Sequence, residues 1–340
     1  MLHFGLEFNE SSKMHYDGFM EKQRKNIVVV GGGTGVFTVL SGLKKYGHNL
    51  SAIVSMADDG GSTGILREEF GILPPGDIRR ALVALSDADR LMADLFNYRF
   101  EKHGSVSGHS FGNLLITALE QITGDFERAI VEAGKILAVR GEVIPVTLQK
   151  TKLHAKLENG KVVAGESNID IPKHNPELRI KKIFLEPRAK INPRATEAIL
   201  AADIVVVRPG DLYTSVLPNF LVEGMKQALQ NTKAKRVYVC NIMTKHGETH
   251  AYKASDFIKE IVRYTGEGGV DYALVNRERP EDHKMKLYHQ EYAYFVEPDK
   301  NVETAGVKVI FGKFLRTSGS LLRHDPEKLA KAILELDNCN

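Results

Sequence analysis

Ten residues near the start of the chain set its architecture: Asn26-Ile-Val-Val-Val-Gly-Gly-Gly-Thr-Gly35. Residues 26–30 form a continuous, largely β-branched apolar run, which is typical of a strand buried on both faces of a parallel sheet. The glycines that follow let the backbone turn sharply, because they carry no Cβ atom. Apolar residues at helical spacing continue over 36–46. The stretch therefore predicts a strand, a glycine-rich turn and a helix.

The same rhythm of strand, loop and helix recurs along the chain. Strands are predicted at 51–56, 204–207, 236–240, 270–275 and 307–311, and helical regions at 77–100, 110–121, 125–139, 194–202, 255–264 and 325–336. A loop at 209–215 is predicted to lead into a helix that ends at 229. The middle, about 143–185, has short alternating runs and the hairpin signal Asn159-Gly160. We therefore expect an α/β fold with a doubly wound, mostly parallel, Rossmann-like sheet and a small antiparallel β insert.

Composition limits the class of protein. The chain has 46 Lys and Arg against 43 Asp and Glu, a net charge of +3 that excludes a dedicated nucleic-acid binder. Residues 1–25 are polar and lack the apolar segment of a signal peptide, and no apolar run reaches the roughly 20 residues of a membrane span. Cys240 and Cys339 lie far apart, which indicates a cytoplasmic protein. We expect a polar tail at 1–25 and a single domain at 26–340.

The glycine-rich turn is the first candidate binding site. A helix that starts there offers free N–H groups and the positive end of its dipole, which suit a phosphate. The dinucleotide fingerprint G-x-G-x-x-G is matched only in part, because Val36 stands at the third glycine position. A turn needed only for close helix–sheet packing is the alternative. The candidate residues are Gly32, Gly33, Thr34 and Gly35.

A polar loop after the second strand is the next candidate. Asp58 and Asp59 could hold Mg²⁺ or polarise a hydroxyl nucleophile. A second anion-binding turn could be formed by Gly60, Gly61 and Ser62, and Thr63 beside them is also a candidate ligand-binding residue. The alternative is a cluster of Asx turns that caps the next helix.

Two further loops precede helices. Asp77 is predicted as a helix N-cap, and Arg79 follows it at a position from which it could contact a phosphate or simply be solvated. His109 could act as a general base, or serve only as a capping or structural group, and Asn113 could bind a base or sugar edge. Later loops at strand ends add Gly210, Asp211, Tyr213, Thr214, Ser215, Asn241 and Thr244. Most of these loops follow strand ends, so they should converge on one edge of the sheet.

The combination of motifs resembles the YvcK-like family of gluconeogenesis factors, which is in turn similar to CofD, the 2-phospho-L-lactate transferase of coenzyme F420 synthesis. The motifs are GGGTG (31–35), DDGGST (58–63), PPGDIR (74–79), HSFGNLL (109–115), DLYTSVLPN (211–219) and NIMT (241–244). This resemblance implies a nucleotide-diphosphate site in these loops, UDP-sugar ligands, and Arg323 reaching the nucleotide. It also implies a cytoplasmic bacterial protein needed for growth and cell shape on gluconeogenic carbon sources.

The chain departs from the family pattern at a few positions, which are Arg80, Arg208, Asp211 and His250. Two functions follow from the resemblance. The first is a nucleotide-sugar-binding regulator that acts through an unidentified protein partner, as a monomer or homo-oligomer. The second is a CofD-like transferase in which Asp58 and Asp59 with Mg²⁺ orient a hydroxyl acceptor against a diphosphate donor. A NAD(P)-linked oxidoreductase is disfavoured by the incomplete fingerprint.

Overall fold

The computed structural model describes residues 24–101, 104–299 and 306–336. Its strands are β1 (Asn26–Val30), β2 (Asn49–Val54), β3 (Glu142–Pro145), β4 (Lys152–Leu157), β5 (Val162–Ala164), β6 (Ile180–Glu186), β7 (Ile204–Val207), β8 (Lys235–Val239), β9 (Tyr272–Asn276) and β10 (Lys308–Gly312). Its α-helices are α1 (Gly33–Leu43), α2 (Gly61–Phe70), α3 (Pro75–Leu85), α4 (Arg90–Asn97), α5 (Phe111–Thr123), α6 (Phe126–Ile136), α7 (Glu166–Asp170), α8 (Pro193–Leu200), α9 (Met225–Asn231), α10 (Ala254–Thr265), α11 (Asp282–Gln290) and α12 (Pro326–Glu335).

Seven strands form one parallel sheet, which confirms the predicted α/β fold with helices on both faces. The strand order is β10-β9-β8-β7-β1-β2-β3. The chain moves outward from β1 to β3 and then returns beside β1 as β7, with Val30 opposite Val207. The strand order therefore reverses between β1 and β7. In open sheets of this kind, a crevice for ligands lies at that reversal, outside the carboxyl ends of the strands.

The centre of the sheet is apolar because its strands are covered on both faces. Every residue of β7 is buried, and so is every residue of β1 except the first. Continuous β-branched runs suit such strands, since side chains on both faces then pack against helices.

The antiparallel insert is a separate three-stranded sheet with the order β5-β4-β6. Its predicted start at about 143 is wrong, because β3 pairs in parallel with β2, with Val143 opposite Ala52. Val143 and Ile144 are both buried, as expected for a strand of the main sheet. The insert therefore begins at β4.

Two predicted helical regions differ from the structure, and some of the observed helices were not predicted. Helix α2 was missed, because Gly61 and Gly64 have low helix propensity and resemble a loop. The helical region predicted at 77–100 is two helices, α3 and α4, and Asp89 caps the second by accepting a hydrogen bond from Met92 N. The segment 209–229, predicted as a loop and then a helix, contains a π-helical turn (Leu212–Val216), a 3₁₀ turn (Leu217–Leu221) and the start of α9. Helix α11 had not been predicted.

None of the described helices combines the length and apolar character needed to cross a lipid bilayer.

The predicted tail at 1–25 falls almost entirely outside the described residues, and Cys339 lies outside them as well. Cys240 is a buried free thiol at the end of β8. The assignment of 26–340 to a single domain stays a prediction.

Candidate functional site

A cleft of about 1380 Å³ opens at the carboxyl ends of the parallel strands, where the strand order reverses. It brings together most of the residues singled out from the sequence. Those that line it are Gly33, Thr34, Gly35, Asp58, Gly60, Gly61, Ser62, Thr63, Asp77, Arg79, Asn113, Gly210, Asp211, Thr214, Ser215, Asn241, Thr244 and Arg323. Gly32, Asp59, His109 and Tyr213 are not part of the lining. For each of these residues, a role in ligand binding stays a prediction.

The first wall of the cleft is the start of α1. Its N-cap is Gly32, in extended conformation and without a side chain to cap the helix. A Cβ on Gly35 would lie 1.8 Å from the carbonyl oxygen of Pro209, so only glycine allows the β1 and β7 loops to approach this closely. A Cβ on Gly32 would instead meet the Asp77 carboxylate at 1.9 Å. The glycines therefore allow close packing of the loops, and they leave the first turn of α1 without a side-chain cap.

The second wall is the start of α2, and α3 begins beside it. Gly60 is the N-cap of α2 and also offers no capping side chain. The predicted N-cap role of Asp77 is wrong, because α3 begins at Pro75 with Pro74 as its uncapped N-cap. The Asp77 carboxylate accepts a hydrogen bond from Arg80 at 2.6 Å. Three helices thus begin at the cleft without a side-chain cap, and the N–H groups of such first turns are suited to an anion.

The two neighbouring aspartates have different surroundings. Asp58 lines the cleft, and its Oδ1 accepts a hydrogen bond from Gly60 N at 3.0 Å. Burial raises the pKa of Asp58 to about 6, and the negative charge of Asp77 adds to the rise. Asp59 lies outside the lining, and its Oδ1 accepts hydrogen bonds from the backbone N and Oγ of Ser167, each at 2.9 Å. Of the pair, only Asp58 is available to a ligand in the cleft.

These residues could hold a magnesium ion only if Asp58 is its one carboxylate ligand from the protein. Among the described residues, no group of three or more His, Cys, Asp or Glu side chains could hold a metal. Mg²⁺ is often held by one or two carboxylates together with phosphate oxygens of the substrate. Asp58 meets that minimal requirement, whereas a chelate by Asp58 and Asp59 together does not, because the Asp59 oxygens are engaged with the start of α7.

The antiparallel insert contributes acidic groups that the sequence did not single out. Glu166, at the start of α7, lines the cleft. Burial raises its pKa to about 9, and the charges of Asp58 and Asp170 add to the rise, so its carboxyl group is protonated at neutral pH. Lys245 pairs with Asp170 and lies 3.2 Å from Asp211. Burial would lower the pKa of Lys245, but the surrounding carboxylates outweigh burial and raise it.

A buried polar network supports the α2 wall. The Nδ1 of His109 lies 2.9 Å from Ser62 Oγ, which also accepts a hydrogen bond from Asn113 Nδ2 at 3.2 Å. Asn113 Oδ1 in turn accepts one from Arg79 Nε at 3.1 Å. Burial lowers the pKa of Arg79 to about 10, so this arginine stays charged but is not the solvated surface group that was the alternative. His109 acts in the network behind the cleft rather than at its surface.

The loops after β7 and β8 are tied to each other. Gly210 N donates to Asn241 Oδ1 at 3.1 Å, and Asn241 Nδ2 donates to Gly210 O at 2.8 Å. Thr244 Oγ1 accepts from Tyr294 N at 2.8 Å. The hydroxyl oxygens of Tyr213 and Tyr252 lie 2.8 Å apart and are hydrogen-bonded to each other. These side chains hold the loops in place, and they leave less hydrogen-bonding capacity for a ligand than the sequence suggested.

The far wall of the cleft is apolar. Leu287 and Leu321 are more than half exposed and lie in the lining together with Tyr288. Beneath them is a second, smaller apolar cluster that includes Met285 and Leu322. Apart from Arg323, which the family resemblance singled out, no sequence signal marked this wall, because its residues come from a helix that had not been predicted and from a turn before α12. Of the four departures from the family pattern, Arg80, Arg208 and Asp211 line the cleft and His250 does not.

Comparisons with known proteins agree with this fold. The model of the family described as 2-phospho-L-lactate transferase CofD matches residues 27–315. The chain is 45% identical over 315 residues to a gluconeogenesis factor of Halalkalibacterium halodurans, which is 92% of this chain and 97% of that protein. It is 43% identical over 317 residues to a gluconeogenesis factor of Bacillus subtilis, 92% of this chain and 98% of that protein. The crystal structure of a UPF0052-family protein from Bacillus halodurans, 45% identical, superposes with a TM-score of 0.88 and covers 92% of this chain and 100% of that one.

Proposed function

The chain belongs to the CofD family, and from this premise we propose that it is a gluconeogenesis factor that binds a nucleotide diphosphate of the UDP-sugar class in the cleft. The names of its relatives support the gluconeogenic role. The family resemblance supports the UDP-sugar, action in the cytoplasm, and a regulatory effect on growth and cell shape through a protein partner.

One observation carries the ligand assignment: the uncapped starts of α1, α2 and α3 meet at the cleft where the strand order reverses. Each first turn presents N–H groups that have no partner within the helix, and the helix dipoles add positive potential. A diphosphate carries oxygens that can accept from two such turns at once. The starts of α1 and α2 are therefore the proposed diphosphate site.

The remaining walls suit the rest of a nucleotide sugar. The far wall offers Leu287, Tyr288 and Leu321 to a flat or apolar group such as a nucleobase. Arg323 is exposed at the same end of the cleft. The polar groups on the insert side, Glu166 and Ser167 among them, suit the hydroxyls of a sugar, because a protonated carboxyl group both donates and accepts hydrogen bonds.

Isothermal titration calorimetry with UDP-N-acetylglucosamine tests this proposal. We expect saturable binding to the wild-type protein, and loss of binding in Asp58→Ala and Gly33→Val, both of which should unfold with cooperative transitions. Arg194→Ala, at the opposite edge of the sheet, is the control and should bind as the wild type does. Absence of heat with any uridine nucleotide, or full affinity in both cleft variants, contradicts the ligand assignment.

A CofD-like transferase is the second candidate, and the raised pKa of Asp58 favours it. A carboxylate with a pKa of about 6 is suited to accept a proton from an acceptor hydroxyl near neutral pH. Mg²⁺ held by Asp58 would neutralise charge on the phosphoryl group. Consumption of a guanosine-diphosphate lactate donor with a deazaflavin acceptor, dependent on Mg²⁺ and abolished in Asp58→Asn, would establish this activity. Unchanged donor after prolonged incubation leaves the regulator as the function.

A further inference from the structure

Arg208 is a buried cation, two of whose nitrogens lack a hydrogen-bond partner among the described residues. It follows β7 directly and is 2% exposed. Its Nη1 donates to the carbonyl oxygen of Pro209 at 2.7 Å, whereas Nε and Nη2 have no hydrogen-bond partner among the described residues. Buried polar atoms are nearly always hydrogen-bonded, and a buried charge without a partner is more costly still. Among the described residues no acceptor meets Nε or Nη2, so an anion bound near the guanidinium would stabilise its charge.

The loops around Arg208 are shaped to hold it. A Cβ on Gly31 would lie 2.4 Å from its Nε, and a Cβ on Gly210 would lie 1.8 Å from its Nη1. Both glycines have positive φ angles, +138° and +154°, which side-chain-bearing residues rarely adopt. The glycine turn after β1 and the loop after β7 therefore close around the guanidinium.

Burial of Arg208 outweighs the stabilisation that its acidic neighbours Asp77 and Asp211 give its charge. Burial lowers its pKa to about 10, so the guanidinium is still protonated at neutral pH. The two carboxylates that favour its charge, Asp77 and Asp211, are each also paired with another cation, Arg80 and Lys245. A Cβ on Gly33 would lie 3.5 Å from Nη2, so the cation sits against the first turn of α1 and at the edge of the cleft.

We propose that Arg208 supplies the positive charge that neutralises a phosphate at the first turn of α1, so that the diphosphate binds without a divalent cation. This inference rests on the proposed function and deepens it. The guanidinium is covered, so it acts on the phosphate mainly through its charge, in surroundings of low dielectric constant where that attraction is strong. Arginine is suited to this role because it stays charged when buried.

The acidic residues of the cleft are consistent with phosphate binding that needs no divalent cation. Asp58 is the one member of its pair that lines the cleft, and its raised pKa reflects surroundings that disfavour its charged form. Asp58 alone could hold Mg²⁺ only together with phosphate oxygens of the ligand. Arg208 instead offers a fixed cation on the side of the cleft where α1 begins.

Inorganic pyrophosphate is the probe, because it needs only the anion site. Binding is measured by calorimetry, and melting temperature by scanning calorimetry, once in EDTA and once in Mg²⁺. The variants are Arg208→Met, which removes the charge, Arg208→Lys, which keeps it, and Arg90→Met, a control at an exposed position of α4. We expect wild type and R90M to bind with dissociation constants that differ less than threefold between the two buffers. R208M should bind at least tenfold more weakly in EDTA, and R208K should recover most of the loss.

A merely structural role for Arg208 would give a different pattern. It would lower the melting temperature of R208M without ligand, whereas we expect R208M to melt no lower than wild type, because an unpaired buried charge has been removed. Wild-type binding that requires Mg²⁺, no binding of pyrophosphate in either buffer, or equal affinity of R208M and wild type in EDTA overturns the inference. If R208M does not fold, the comparison of pyrophosphate binding by the wild type in EDTA and in Mg²⁺ decides the matter. Pyrophosphate binding without UDP-sugar binding would refute the proposed ligand and leave the role of Arg208 standing.

Discussion

Asp58 and Asp59 are neighbours in the chain, and we expect the loss of their charges to change stability in opposite directions. Asp58→Asn should stabilise the protein at neutral pH. Burial and Asp77 raise the pKa of Asp58 from its ordinary 3.8 to about 6, so the folded state holds this proton more tightly than the unfolded state does. The stability that the protonated form provides is complete below pH 3.8 and is lost as the pH rises through about 6.

The magnitude follows from the two pKa values. The difference between 3.8 and about 6, at ~1.4 kcal/mol per pH unit, makes ionised Asp58 cost the fold ~3 kcal/mol at pH 7.5. At pH 4.5 the remaining cost is ~1 kcal/mol, because most of the carboxyl groups are then protonated in the folded state. Asparagine carries no charge at either pH, so D58N should be more stable than wild type by these amounts.

Asp59→Asn is the matched control. The Asp59 carboxylate accepts hydrogen bonds from the backbone N of Glu166 and from Ser167, and asparagine can replace only part of them. We expect D59N to be less stable than wild type by ~1–2 kcal/mol at both pH values. Urea unfolding of the three proteins at pH 7.5 and 4.5 measures the free energies. A D58N variant that is less stable at pH 7.5, or whose advantage is the same at both pH values, refutes this account of Asp58.

Three further outcomes are expected. Gly35→Ala should destabilise the fold by ~3 kcal/mol in urea unfolding and abolish ligand binding, because its Cβ would lie 1.8 Å from the Pro209 carbonyl oxygen. A variant as stable as the wild type would show that the loops are not in close contact. Asp325→Ala should lower stability by ~1 kcal/mol, since its carboxylate accepts from two backbone N–H groups at the start of α12, and an unchanged urea midpoint would contradict that cap. His109→Ala should weaken UDP-sugar binding several-fold in calorimetry, because Ser62 would lose its hydrogen-bond partner, whereas His109→Asn should retain most of the affinity. Equal losses of affinity in both variants would argue for a direct role of the imidazole.

The sheet could be predicted from the sequence because buried parallel strands have a distinctive composition. The run at 204–207 was assigned with its observed bounds, and 26–30 likewise, since both are continuous and β-branched. Helix α2 was missed for a related reason. Glycines at its start permit the uncapped turn at the cleft, and the same glycines remove the periodic pattern by which a helix is predicted.

The convergence of the candidate loops on one cleft could be predicted, but the direction of each side chain could not. Loops that follow parallel strands share one edge of the sheet, so the convergence of the glycine-rich and polar loops follows from the strand pattern. Whether Asp58 or Asp59 faces the cleft depends on α7, a short helix in the insert whose N-terminal N–H groups bind Asp59. Glu166 and Lys245 carry no motif, and only the tertiary structure brings them to the cleft.

The central claim is that a phosphate-bearing ligand binds at the reversal of the strand order. A crystal structure of the protein with UDP-N-acetylglucosamine tests it most directly. We expect the diphosphate within hydrogen-bonding distance of backbone N–H groups in the first turns of α1 and α2. A second cleft of about 800 Å³, lined by Arg24, Lys44, Arg140 and Arg194, lies near the amino ends of β1 and β2. Diphosphate density in that cleft, or at any place away from the α1 and α2 turns, would contradict the account.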